Sequence, residues 1–191
     1  MANGEVTKAA PLIRWHYLWY AAGALAVMTA AIVSANLWFL NFVHVFCGLL
    51  WTGIDLFMGF VLGPILKTLD PMVRRTITSK LTPRTLFLMP TISIITGTTG
   101  WFLAVDLGYT QLDWPHYGWV AAALVLVALM TIVGLGLLTP TNVVVCIELQ
   151  KERPDLDKIG RLMRLYFFLT AAQGTMQVLT IIIMTRFRTG M

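Results

Sequence analysis

One stripe of side chains early in the chain combines an imidazole, a thiol, an indole and a carboxylate. Its members recur at spacings of three and four residues, which places them on one face of a helix: His44, Cys47, Trp51, Asp55 and Met58. Asp55 is the only Asp, Glu, Lys or Arg between Arg14 and Lys67. An ionisable residue in so apolar a segment is a functional-site hypothesis by default. Asp55 is therefore a candidate proton acceptor, relay or counter-ion, and the alternative is a neutral, hydrogen-bonded carboxyl.

Two histidines are candidate ligands of a metal ion or a haem iron, because a neutral imidazole nitrogen binds both. His44 has the alternative of a hydrogen bond to a neighbouring helix. His116, between Trp114 and Tyr117, equally fits an aromatic belt at the membrane surface. Cys47 follows His44 by three residues and would suit a soft metal such as copper, or it is a small apolar filler.

The composition indicates that membrane-spanning helices must position these residues. Hydrophobic residues make up 58% of the chain, 12% is charged, and the mean hydropathy is +0.76. Soluble domains average roughly 25% charged residues. Three segments carry no charge, at 85–105, 114–147 and 165–185, and a fourth, 15–66, carries only Asp55. Because a span needs about 20 apolar residues, we predict an all-α, single-domain bundle over residues 1–191. Its five transmembrane helices lie near 17–36, 38–66, 84–106, 116–139 with an extension to 150, and 161–186.

Basic residues predict the orientation, since Lys and Arg accumulate on the cytoplasmic side of a membrane protein. Two predicted inner segments contain ten of them: Lys67, Arg74, Arg75, Lys80, Arg84, Lys151, Arg153, Lys158, Arg161 and Arg164. With five spans the N-terminus, carrying Lys8 and Arg14, is cytoplasmic, and the C-terminus with Arg186 and Arg188 is outside. The protein is then a multi-pass protein of the bacterial inner membrane. The net charge of +5 reflects this topology and contact with anionic lipid rather than a nucleic-acid partner.

The orientation also predicts depth. His44 and His116 both lie near the outer face, and Asp55, eleven residues after His44, lies about 16 Å deeper. Gly59 and Gly63 form a GxxxG step, which lets two helix backbones approach closely. A polar patch at 173–177 in the last helix either joins helices or lines a cavity.

Several motifs in this order resemble two related families of small membrane proteins. The motifs are His44-x6-Trp51-x-Gly53 followed by Pro64, then Leu86-Phe87-Leu88-Met89-Pro90 with Thr96-Gly97, and then Trp114-x-His116. Their spacing over roughly residues 38–186 resembles the HemJ-type membrane proteins and the broader copper-resistance D (CopD) group. The first predicted helix is an addition to that pattern.

The resemblance implies a small helical bundle that binds haem b and oxidises protoporphyrinogen IX, with His44 as the expected iron ligand. Two positions depart from the HemJ-type pattern. Gly118 stands where the family has a lysine, and Ile65 stands where it has an arginine. These departures argue against porphyrinogen oxidation and leave the haem cavity in place.

These observations together predict a membrane oxidoreductase with one b-type haem near the outer face. His44 is one axial ligand and His116 a second, Trp51 lines the pocket, and Gly48 leaves room for the flat macrocycle. The protein would pass electrons between a lipophilic donor, such as a quinol or a porphyrinogen, and a partner. Asp55 would handle the coupled proton.

Two alternatives belong to other functional classes. One is a copper-handling protein of the CopD type, with His44, Cys47 and nearby methionines as ligands. The other is a non-catalytic accessory subunit of a larger membrane complex; a homo-oligomer is a separate expectation for the partners of this chain. The first predicted helix favours this second alternative, because its alanines and Gly23 present a small-residue surface suited to helix contact.

Overall fold

The computed structural model describes residues 15–189, with side chains to residue 187, and this part of the chain is all-α. Lys8 and Arg14 lie outside the described residues, as does the side chain of Arg188. Five long helices follow one another through short connections: α1 Tyr17–Val33, α2 Leu37–Thr68, α3 Pro71–Asp106, α4 Tyr117–Leu149 and α5 Leu156–Thr189. A single 3-10 turn, Tyr109–Gln111, interrupts the connection between α3 and α4.

The helices α2 to α5 are each long and apolar enough to cross a membrane. Helix α1 is apolar but has only 17 residues, a length of about 25 Å that lies at the lower limit for a span. The outer surface of the bundle is apolar, with Trp19, Leu49 and Phe168 among its most exposed side chains. The protein is therefore an all-α, multi-pass membrane bundle, as its composition predicts.

Helices α2 to α5 form a ring, in which α2 and α4 each pack between α3 and α5. Helix α1 lies outside the ring against α2 and α3. Its buried residue Ala31 packs in a cluster with Val43 of α2 and Ile95 of α3. The interior of the ring, where the four longer helices face one another, is the part of the fold that can enclose a site.

The first two boundaries of the bundle follow from local capping. The predicted break between α1 and α2 is present, since the Asn36 side chain accepts a hydrogen bond from the Phe39 backbone N–H at 3.1 Å. Helix α3 begins at Pro71 rather than near residue 84. The Asp70 side chain caps it by accepting from the Met72 N–H at 2.8 Å. The basic residues predicted in a loop, from Arg74 to Arg84, therefore lie on the helix, which continues beyond its apolar part.

Helix α4 includes the predicted extension to about residue 150, and the last helix, α5, is longer than predicted. Helix α4 does not stop at Pro140, because a π-helical segment, Ile132–Leu138, precedes the proline and the helix continues to Leu149. The Thr139 hydroxyl donates to the Gly134 carbonyl at 2.9 Å within this segment. Helix α5 begins at Leu156 rather than near residue 161.

The connections 69–70 and 150–155 meet at one end of the bundle, which we call the basic end. A buried carboxylate organises it. Glu148 accepts hydrogen bonds from Lys151 at 2.8 Å and Lys158 at 2.9 Å, and from the Asp155 N–H at 3.3 Å. These bonds tie the end of α4 to the start of α5.

Helices α2 and α5 approach each other closely at the GxxxG step. A Cβ atom built on Gly59 would lie 2.5 Å from the backbone Cα of Ala171, and one on Gly63 would lie 2.8 Å from Cβ of Phe167. Only glycine at these positions permits the contact, since carbon atoms pack at about 3.5–4.0 Å. The GxxxG step thus serves helix packing, as predicted, and it holds the middle of α2 against α5.

Candidate functional site: a polar chamber around Asp55

Asp55 lies at the centre of the ring, fully shielded from the surface at 0% exposure. Its Oδ2 accepts a hydrogen bond of 3.0 Å from the Gln177 side chain on α5, and its Oδ1 has no hydrogen-bond partner. No salt bridge to Asp55 occurs within residues 15–187. The Gln177 amide therefore holds the carboxyl group in place, and the Gln173 and Trp51 side chains also lie within reach of it.

A cavity of about 20 Å³ borders this carboxyl group. We call it the Asp55 chamber, and all four helices of the ring line it: Trp51 and Asp55 from α2, Thr85, Leu86, Met89, Pro90 and Ser93 from α3, Gly134, Leu135, Leu138, Thr139 and Asn142 from α4, and Tyr166 and Gln173 from α5. A cavity needs at least about 10–15 Å³ to hold a water molecule. The chamber is therefore large enough to hold a water molecule.

Each of the three helices α2, α3 and α4 departs from regular geometry beside the chamber. Helix α2 becomes π-helical at Phe57–Leu62, immediately after Asp55, and α4 is π-helical at Ile132–Leu138. Helix α3 contains Pro90, which removes one backbone hydrogen bond. Single π-helical turns occur often at functional sites, and in membranes they are tolerated where the backbone is covered by protein. Their grouping around one carboxylate marks the chamber as the candidate site.

Polar side chains continue the chamber toward the basic end. The Asn142 amide on α4 donates to the Thr85 hydroxyl on α3 at 3.2 Å, and both side chains are buried. The Tyr166 ring, also buried, lines the same cavity from α5. In lipid such groups must satisfy one another or water, because hydrocarbon offers no partner.

Of the predicted site residues, Trp51 lies beside Asp55. It is buried at 7% exposure, packs with Ile92 of α3 and Met130 of α4, and lines the chamber. The prediction of a pocket-lining Trp51 therefore applies to the Asp55 chamber, which lies deeper than the predicted haem pocket near the outer face.

His44 is directed to α3. Its Nδ1 lies 3.0 Å from the Thr96 carbonyl oxygen and 3.3 Å from the Thr99 hydroxyl. Because a carbonyl oxygen only accepts, Nδ1 carries the proton and donates it, and Nε2 is left with its lone pair. A Cβ atom on Gly100 would lie only 2.8 Å from Cε1 of His44. The ring is therefore packed against the α3 backbone.

His116 occupies a different environment. It precedes the first residue of α4, Tyr117, and its side chain is exposed. No hydrogen bond or ring contact joins it to His44 among the contacts of residues 15–187. The two histidines share the end of the bundle opposite the basic end, as predicted, but their surroundings do not bring them together.

Gly48 and Cys47 lie against neighbouring helices. A Cβ atom on Gly48 would meet the Thr96 methyl group at 3.4 Å, an ordinary contact, so α3 covers the face predicted to receive a macrocycle. Cys47 packs against the apolar cluster between α1, α2 and α3. Within the described range, no three His, Cys, Asp or Glu side chains are grouped so that they could hold a metal ion.

The surroundings of His44 and Gly48 show whether this conformation has room for haem b. The donor chemistry suits iron, because metal-binding histidines commonly donate their other ring N–H to a carbonyl, as His44 does to Thr96. The space does not suit the macrocycle. Gly48 and Gly100 face side chains at contact distance, and the Asp55 chamber holds little more than water. The residues as placed therefore do not fit a haem.

One group of residues in the site was not singled out by its sequence pattern. Thr85, Asn142 and Tyr166 are ordinary polar residues within apolar helices, and only their register across α3, α4 and α5 brings them together. Of these residues, Asn142 could have been identified from the sequence, because it is an amide inside the charge-free segment 114–147.

Comparisons with protein-family models, with curated proteins and with solved structures find no match for this chain. The resemblance to the HemJ-type and CopD proteins therefore depends on the sequence motifs alone.

Proposed function

We propose that this is a proton-coupled membrane protein in which Asp55 binds and releases a proton inside the bilayer. The observation that carries the proposal is the setting of that carboxyl group. It is fully buried, held through one oxygen by Gln177, without a hydrogen bond at the other oxygen, and beside a water-sized chamber. Ionisable residues in this position commonly serve as proton relays in pumps and transporters.

The absence of a cationic partner for Asp55 in the described bundle supports a proton rather than a structural ion pair. An isolated carboxylate is costly to bury, so it is paired, bound to a cation or neutralised by a proton. No Lys, Arg or His bonds to Asp55 within residues 15–187, and no further acidic or metal-binding side chains surround it there. Asp55 therefore has neither a basic partner nor a metal site beside it in this part of the chain, and neutralisation by a proton is the arrangement that its surroundings favour.

The distribution of basic residues indicates which end of the bundle faces the cytoplasm. Ten Lys and Arg residues lie between residues 67 and 84 or between 151 and 164, at the basic end or along the first four turns of α3, whereas the connection 107–116 has none. By the positive-inside rule we assign the basic end to the cytoplasm, in a bacterial inner membrane. If α1 also spans, the N-terminus is cytoplasmic and the C-terminus is outside.

Proton binding can be counted directly. Purified wild-type protein and Asp55→Asn, in the same lipid nanodiscs, are titrated with acid and base, and the curves are subtracted. The proposal predicts that wild-type protein binds one more proton per chain than Asp55→Asn across the titrated range. Superimposable curves would remove Asp55 from any proton-coupled function.

A haem-dependent oxidoreductase acting on a quinol is the second candidate, and one observation favours it. The bond from His44 to the Thr96 carbonyl leaves Nε2 available as a ligand, which is the tautomer that haem ligation requires. The tight packing at Gly100 weighs against it, since a bound macrocycle would require α2 and α3 to move apart. An absorption spectrum of purified protein tests it: a Soret band that is lost in His44→Ala supports the candidate, and a colourless protein rejects it.

A further inference from the structure

Six buried side-chain nitrogen and oxygen atoms in the described part of the chain lack a hydrogen-bond partner. They belong to Asp55, Arg74, Thr78, Thr82, Gln173 and Gln177. Asp55 and Gln173 line the Asp55 chamber, Gln177 bonds to Asp55, and the other three residues lie on α3 toward the basic end. Such atoms are rare in native proteins, and ordered water is the usual partner that satisfies them.

The three atoms on α3 form a regular stripe. Arg74, Thr78, Thr82 and Thr85 follow one another at spacings of four, four and three residues, which keeps them on one face of the helix. The stripe is about 16 Å long. It begins at the basic end and finishes at Thr85, which lines the chamber. Thr78 and Thr82 are almost fully buried, at 0% and 1% exposure.

The hydroxyls of Thr78 and Thr82 differ from those of the other buried threonines. Each of the others donates to a carbonyl one turn earlier in its own helix: Thr52, Thr85, Thr91, Thr99, Thr170 and Thr180. This self-bonding is the ordinary arrangement for threonine in an apolar helix. Thr180, which lies beyond Gln177 on the side away from the basic end, makes this ordinary bond to its own helix. The unpartnered atoms therefore extend from the chamber toward the basic end.

We infer that this stripe holds a file of water molecules that connects the basic end of the bundle with Asp55, and that the proton reaches Asp55 through it. The inference depends on the proposed function, because it assigns a route to the proton that Asp55 binds. A hydroxyl both donates and accepts, so Thr78 and Thr82 can bond to water on either side and pass a proton along the file.

Arg74 stands at the entrance of this route. Its guanidinium group is fixed by a bond of 3.0 Å from Nη2 to the Leu69 carbonyl, and its Nε remains buried without a partner. At the other end, Asp55 and Tyr166 are the titratable side chains that line the chamber, and the lining residues of α3 and α4 add none. Asp55 is the one carboxylate at the end of the stripe.

The test is the rate at which the Asp55 carboxyl group exchanges its proton for deuterium. Protein in nanodiscs is transferred to D2O, and the infrared carboxyl band that is missing in Asp55→Asn is followed over time. Thr78→Val and Thr82→Val keep the shape of the side chain and remove the hydroxyl. Each is expected to slow the exchange about tenfold, which corresponds to about 1.4 kcal/mol in the barrier.

Matched variants separate the route from an effect on folding. Thr76→Val removes a hydroxyl from the same helix, but Thr76 is exposed and bonds to the Met72 carbonyl, so its exchange should equal that of wild type. Thr78→Ser restores a hydroxyl and should restore the rate. Unchanged exchange in Thr78→Val and Thr82→Val would overturn the water file while leaving Asp55 as a proton site. Absence of any band that depends on Asp55 would overturn the proposed function itself.

Discussion

Replacing Gly59 with alanine should destabilise the bundle at the contact that holds Asp55 against α5. The new Cβ would lie 2.5 Å from both the Cα and the N of Ala171, which are backbone atoms that cannot rotate away. Helix α5 would have to move by about 1 Å to restore an ordinary carbon contact. Overpacking of this kind costs about 1–3 kcal/mol. The same movement would lengthen the 3.0 Å bond between Gln177 and Asp55.

Gly53 supplies a control on the same helix. A Cβ atom there meets nothing within 4 Å, so Gly53→Ala gains helix propensity without a steric cost. Both substitutions share the propensity gain of about 1 kcal/mol, so the difference between the variants isolates the overpacking. Unfolding in mixed micelles with increasing SDS, followed by circular dichroism, measures both free energies. Equal stabilities for the two variants would refute the close approach of α2 and α5.

Two further predictions concern other contacts. Gln177→Leu should destabilise the protein by about 1–3 kcal/mol, because it removes the 3.0 Å hydrogen bond to the buried Asp55 carboxyl group. The double variant Asp55→Leu, Gln177→Leu should recover part of this loss in the same unfolding assay; no recovery would argue against a direct bond. Glu148→Gln loses its ion pairs with Lys151 and Lys158. Trypsin should then cleave the 150–155 connection faster than in wild type, and an unchanged rate would contradict the role assigned to Glu148.

The fold could be predicted from charge alone, whereas the exact helix starts could not. Segments without charge indicate where lipid lies, and the four longer helices contain them. Helix α3, however, begins at Pro71, well before its charge-free part, because Asp70 supplies a cap and basic side chains extend a helix into the headgroup region. The Asp-Pro pair at 70–71 was the available signal.

The site could be predicted in part. Asp55 stands out because it is the only charge in a long apolar segment, and Trp51 lies on the same stripe. Its partner Gln177 is 122 residues away in sequence, and no periodicity specifies which face of α5 meets α2. The predicted pairing of His44 with His116 used depth only. Depth does not determine rotation about the helix axis, and the rotation of α2 directs His44 to Thr96.

The pH dependence of the Asp55 carboxyl band shows directly whether this group binds and releases a proton inside the bundle. Infrared spectra of the wild-type protein in nanodiscs are recorded as a function of pH and compared with those of Asp55→Asn. We expect one carboxyl band that appears and disappears with pH in the wild type and is missing in the variant. Identical spectra for the two proteins at every pH would contradict proton binding by Asp55.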